Sequence, residues 1–148
     1  MPAAEQFQLY TVDEYLDTEI CREVKHEYLG GTIHAMAGAS RDHNRLVRRI
    51  ESLMNGQFGK GPCEAWSSDL KLHIKTSLAE YFYYPDVMVG CDPSDCHDYY
   101  LENPSILFEV LSPSTEQIDR REKLLAYQAI ASLEHYVIVS QDAMRVEW

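Results

Sequence analysis

The sequence predicts an α/β fold with a mixed central sheet flanked by helices, and three observations carry that expectation. Segments of helical period alternate with segments of strand period, and the longest apolar runs are strand-sized. The 148 residues are also enough to bury one core without disulfides or a structural metal. With 45% hydrophobic and 25% charged residues, 7 Gly and 6 Pro, the chain reads as one globular domain over 1–148, neither collagen-like nor disordered. The 24 acidic residues outnumber the 13 basic ones, and the resulting net charge of −11 opposes non-specific attraction to phosphate or to an anionic membrane. A nucleic-acid partner would therefore need a local basic patch.

Thr11 and Glu14 have capping-box spacing, and Val12, Tyr15 and Leu16 share a face, so the spacing predicts a short amphipathic helix over 11–19. Val24, His26 and Tyr28 then alternate with Lys25, Glu27 and Leu29 up to Gly30-Gly31. Thr32 to Met36 is extended again, which predicts a hairpin turning at the glycine pair. Gly38 and Ser40 introduce a longer helix in which Leu46, Val47, Ile50, Leu53, Met54 and Phe58 recur at three and four, ending at Gly59 to Pro62. Cys63 to Trp66, Leu70 to Lys75 and Tyr81 to Gly90 read as strands. An acidic, aperiodic stretch over 92–104 separates the last of these from Ser105 to Leu111, an apolar run with one carboxylate, Glu109. Ser112 to Thr115 reads as a loop into a helix running to about 130, with Ile118, Leu124, Leu125 and Ala129 as its apolar face. Tyr136 to Val139 is a last buried strand, and Trp148 falls in what reads as a further one, so a longer parent protein is expected.

The N-terminal MPAAEQFQLY lacks a basic segment followed by an apolar one, and no run is long enough to span a bilayer. A cytoplasmic protein without membrane association is the expectation. Cys21, Cys63, Cys91 and Cys96 are then expected as reduced thiols, and the spacing of Cys91, Cys96 and His97 fits no common zinc signature.

The informative feature is a pair of carboxylates in runs that otherwise read as buried: Asp86 in YYPDVMVG and Glu109 in SILFEVLS. A buried ionised carboxylate costs several kcal/mol unless compensated, so two without basic partners in their own strands point to a metal or a shared proton. The alternative is that each sits at a strand end, reaches solvent and caps a loop or helix. Asp119, Lys123 and Tyr127 recur at four-residue spacing, which by itself suggests an Asp-to-Lys surface pair worth about 0.3–0.5 kcal/mol. Arg41, Arg45, Arg48 and Arg49 lie roughly along one helical face, either a solvated face or a patch able to approach a phosphate backbone.

The ordered strings HEYLGGTIHAMAGASRDHN, YYPDVMVGCDP, EVLSPSTEQIDRREKLLAYQ and LEHYVIV resemble the Uma family of restriction-endonuclease-like proteins within the PD-(D/E)XK nuclease superfamily, from about Tyr10 to Trp148. The resemblance implies a restriction-endonuclease-like core with an N-terminal helix and hairpin. It further implies a metal-dependent endonuclease hydrolysing phosphodiester bonds in DNA. Asp86, Glu109 and the carbonyl of Val110 would hold Mg²⁺ or Mn²⁺. The lysine that the superfamily carries two residues after the glutamate is Leu111 here, and Lys123 is the implied replacement. Glu27 is the implied early glutamate, against its reading as a solvent-facing hairpin residue. His43 stands where the family tends to place a histidine, against its reading as a packing residue. Arg41, Arg45, Arg48 and Arg49 are the expected nucleic-acid contacts, and a homodimer is the expected assembly. Leu111 and the charge of −11 also favour a catalytically silent binding or assembly module with the same fold. A weaker third reading is a hydrolase for small phosphorylated substrates.

Overall fold

The computed structural model describes residues 8–111 and 119–148. The chain begins with α1 (Val12–Glu19). The Thr11 hydroxyl accepts the Glu14 N–H at 3.2 Å, and the Glu14 carboxylate accepts the Thr11 N–H at 2.8 Å, so the capping box forms as the spacing requires. Tyr15 on this helix is fully buried against Tyr28 and Phe82. Strands β1 (His26–Leu29) and β2 (Thr32–Ala35) form the hairpin. Its turn uses φ of 58° at Gly30 and 106° at Gly31, backbone that side chains disfavour and two glycines supply.

Helix α2 (Arg41–Phe58) starts at Ser40, whose hydroxyl accepts the His43 N–H at 3.1 Å. Val47, with the partly buried Leu46, Ile50, Met54 and Phe58, packs onto Ala65, Val87, Val89 and Val110. Leu53, read as part of that stripe, is 67% exposed. There follow β3 (Glu64–Ser67), β4 (Lys71–Lys75), β5 (Glu80–Tyr83), β6 (Val87–Gly90), β7 (Tyr100–Leu101) and β8 (Pro104–Leu111). A π-helical turn (Asp119–Lys123) continues into α3 (Leu124–Tyr127), then β9 (His135–Ser140) and β10 (Val146–Glu147). No helix among the described residues is long and apolar enough to cross a membrane.

The α/β fold is as expected, but its strands divide into two five-stranded mixed sheets, β2-β1-β5-β4-β7 and β10-β9-β8-β6-β3. Each has one parallel pair, β4 with β7 and β8 with β9. The division explains why Tyr81 to Gly90, read as one strand, is two. Tyr84-Pro85-Asp86 carries the chain from the first sheet into the second, and Pro85, lacking an N–H, cannot continue the ladder. Asp86 thus sits just before β6, at the crossing.

The helix after β8 also departs from expectation. The loop at Ser112 to Thr115 and the position of Ile118 lie outside the described residues. Leu124 and Leu125 are 41% and 71% exposed and Ala129 is exposed, while Lys123, Ala126, Tyr127 and Ile130 are buried. The wide turn at Asp119–Lys123 takes up one more residue than an α turn, which rotates the following face by about 100°.

Cys63 and Cys91 form a disulfide, contrary to the expectation of reduced thiols, whereas Cys21 and Cys96 are free. The register is the reason: Glu64 pairs with Gly90, so the residues one step beyond, Cys63 and Cys91, face each other across β3 and β6.

Candidate active site

Register builds the centre of the site. Val87 pairs with Phe108 in the antiparallel β6/β8 ladder, so one step further Asp86 stands opposite Glu109. Directly opposed residues point to the same face, and the two carboxylates therefore share one cleft. The Val110 N–H donates to Asp86 Oδ2 at 2.7 Å, tying the aspartate to β8. An extended residue directs its N–H and C=O to the same edge, which turns the Val110 carbonyl toward the Asp86 side as well. His43, from the first turn of α2, places Nε2 at 3.2 Å from Asp86 Oδ1. The Asp86 hydrogen bond raises the imidazole pKa, with burial opposing it.

Glu109 is almost fully buried. Its Oε1 accepts the Tyr127 hydroxyl at 2.8 Å and lies 3.5 Å from Lys123 Nζ. The same ammonium lies 3.7 Å from Glu27 Oε1, which accepts the Tyr84 N–H at 3.3 Å. Burial pushes the Glu109 carboxyl up to about 8, assisted by the negative charges of Asp86 and Glu27 and opposed by Lys123 and Tyr127. Desolvation is the largest of these effects, so taking the carboxylate out of water, more than like charge, is what raises it.

These groups floor a cleft of about 870 Å³. Its lining also includes Ser40 and His43 at the start of α2, and Lys25, Glu27 and Tyr84. The structure thus brings together Glu27, His43, Asp86, Glu109, Val110 and Lys123, and it resolves two open readings. Glu27 does not face solvent from the hairpin, its side chain being 15% exposed, and His43 contacts Asp86 instead of only filling the core. Lys123 is turned into the cleft and is not a solvated surface residue; the Asp119 side chain lies outside the described set. Leu111, on the same face of β8 as Glu109, is 7% exposed and carries no charge, so the cation arrives from the next helical segment.

The four arginines are not part of this assembly. Arg41, Arg45, Arg48 and Arg49 are exposed along α2, outside the cleft lining, and Arg45 is engaged by Asp42 at 2.6 Å. Sequence reasoning did not assign a contact to Tyr127, although its position four residues after Lys123 was a signal that both reach one place.

The raised Glu109 pKa has a consequence for stability. Between its ordinary 4.5 and about 8, the folded protein keeps a proton that the unfolded chain releases, so the metal-free protein loses stability as pH rises through that window. Relative to Glu109→Gln, wild type is expected to weaken by up to about 4 kcal/mol from pH 5 to pH 9, given about 1.4 kcal/mol per pKa unit over the three units between pH 5 and about 8. Urea denaturation at the two pH values checks this, and parallel pH profiles for the two proteins would contradict it.

An α/β core with a Pro-Asp at a strand crossing, a buried glutamate opposite it and a lysine from the following helix matches the arrangement that the resemblance to restriction-endonuclease-like proteins implies. The fold is similar to that of a crystal structure described as a putative nuclease belonging to DUF820 from Anabaena variabilis ATCC 29413. That likeness has a TM-score of 0.68 at 18% identity and covers 88% of this chain and 74% of that one. The model of the Uma2 family, described as "Putative restriction endonuclease", matches residues 12–148, and the chain belongs to that family. Two uncharacterized proteins of Synechocystis sp. strain PCC 6803 are also similar. The protein slr1290 is 36% identical over 142 residues, 95% of this chain and 74% of that protein. For sll1609 the identity is 36% over 143 residues, 95% of this chain and 80% of that protein.

Proposed function

We propose that the protein is a metal-dependent endonuclease that hydrolyses phosphodiester bonds in DNA. The observation that carries this reading is the opposition of Asp86 and Glu109 across β6 and β8 with Lys123 beside Glu109 in one open cleft. Among the described residues no group of three or more His, Cys, Asp or Glu side chains is arranged to hold a metal ion. Two carboxylates and a main-chain carbonyl nevertheless suit Mg²⁺ or Mn²⁺, hard cations that keep several waters and use few protein oxygens. A cation there would also offset the desolvation of the buried Glu109 carboxylate and its repulsion by Asp86 and Glu27.

Asp86, Glu109 and the Val110 carbonyl would hold the cation. When bound, it would supply Lewis acidity, making a water more acidic and offsetting negative charge on the scissile phosphodiester. Lys123 orients the attacking water or stabilises charge that grows on the phosphate in the transition state. Glu27 and Glu109 hold that ammonium inside the cleft, and His43 with the Val110 N–H holds Asp86 in place. Hydrolysis then follows by in-line attack on phosphorus, with the leaving oxygen departing on the opposite side.

The test is incubation of the purified protein with single-stranded, double-stranded and branched DNA in Mg²⁺ and in Mn²⁺. Cleavage in at least one case is expected. Intact DNA in all of them, together with no divalent-cation binding by calorimetry, sinks the enzyme and leaves a silent module with a nuclease fold.

Binding to DNA is expected to be weak and strongly salt-dependent, carried by the exposed arginines of α2. Each phosphate contact contributes about −0.9 to the slope of log affinity against log salt. Replacing Arg48 and Arg49 with Ala should flatten that slope by about 2, and Arg45→Ala by less because Asp42 already engages it. An unchanged slope in a salt titration would remove α2 from the interface.

A further inference from the structure

Tyr127 plays no part in the chemistry above, yet it reaches Glu109 from a tightly packed ring. It is 1% exposed, and its ring is held edge-on by Tyr83 at 5.8 Å and Tyr136 at 5.1 Å between centroids. Its hydroxyl donates to Glu109 Oε1 at 2.8 Å. Lys123 approaches the same oxygen at 3.5 Å, but its ammonium ends a flexible stem and is shared with Glu27. The phenol has one donor, one direction and a caged ring. Among the described residues, both side-chain donors to Glu109 reach Oε1.

Resting on the proposed cation at Asp86 and Glu109, we infer that Tyr127 is a positioning residue. Its hydroxyl fixes Oε1 of Glu109 against α3 and so makes Oε2 the oxygen presented to the cation. A carboxylate free to rotate would offer either oxygen and would have to be ordered at each binding event. Groups that orient a metal ligand in this way typically change metal affinity about 10–100-fold when removed.

The experiment uses Tyr127→Phe, which keeps the caged ring and removes only the hydroxyl. Tyr15→Phe serves as control: that tyrosine is equally buried, and its hydroxyl donates to the His26 carbonyl at 2.6 Å, away from Glu109. Mn²⁺ affinity is measured by calorimetry, the Mg²⁺ dependence of cleavage is measured alongside it, and the metal-free variant is crystallised. The expected result is an affinity for Mn²⁺ at least about tenfold weaker in Tyr127→Phe. The Mg²⁺ requirement should shift to the same extent, with the maximal rate recovered at saturating metal and the Glu109 carboxylate rotated in the metal-free crystal. Tyr15→Phe should lose stability alone. Unchanged or tighter Mn²⁺ binding in Tyr127→Phe with the carboxylate unmoved overturns the inference. Wild-type protein that binds no Mn²⁺ overturns the cation reading instead, and the carboxylate orientation in the metal-free variant then decides the role of Tyr127 by itself.

Discussion

Asp86→Asn and Glu109→Gln are expected each to lower DNA cleavage by about 10³-fold or more while leaving the fold intact. A divalent cation contributes several kcal/mol of transition-state stabilisation, and each of these substitutions removes one of two carboxylates that would hold it. Neither side chain builds the core. Asp86 lies at the crossing between the sheets, and burial, assisted by the charges of Asp86 and Glu27, raises the Glu109 pKa. Removing either negative charge relieves repulsion in the metal-free protein, so stability should hold or rise while activity and Mn²⁺ binding vanish together. Cleavage assays and thermal denaturation of the same samples check this. Variants that cut DNA at wild-type rates would show that these carboxylates do not serve the chemistry.

Lys123→Met is expected to lower cleavage by about 10²–10³-fold, the size of effect seen when one preorganised donor to a developing oxyanion is removed. Here stability should move the other way. The ammonium lies 3.5 Å from Glu109 and 3.7 Å from Glu27, and without it both of these largely buried carboxylates lose their shared cation. A loss of roughly 1–3 kcal/mol at pH 8 follows, smaller at pH 5 where Glu109 is protonated. Lys123→Arg should not restore activity, because a planar guanidinium fills a different volume and directs its donors differently. Wild-type cleavage by Lys123→Met would return the lysine to a structural ion pair.

The contrast between these two sets is informative. Taking away a carboxylate should separate activity from stability, whereas taking away the lysine should reduce both. A silent module would show the same stability changes without any activity to lose.

Much of the local structure was legible because it depends on neighbours in the sequence. The Thr11 capping box, the Gly30-Gly31 turn and the Ser40 cap of α2 each follow from residues three or four positions apart, and each forms as expected. Asp86 and Glu109 were legible as a site for a different reason: charge in an otherwise apolar run has to be compensated somewhere. Lys123 could be named only through the resemblance that makes Leu111 conspicuous, since spacing alone favoured a surface pair with Asp119.

What the tertiary structure alone decided are the relations between remote segments. The sequence by itself determined where most helices and strands begin, through caps, turns and period, and which carboxylates need a partner. Strand register, set by the summed packing of both faces, decided that Asp86 opposes Glu109 and that Cys63 meets Cys91. The crossing at Tyr84-Pro85-Asp86 divided one apparent strand between two sheets. The wide turn at Asp119–Lys123 rotated α3, leaving Leu124 and Leu125 in solvent and bringing Lys123 and Tyr127 onto Glu109. A period-based reading assumes constant rotation per residue, and one added residue in a turn breaks that assumption; only the packing of the helix against β8 reveals which face it presents.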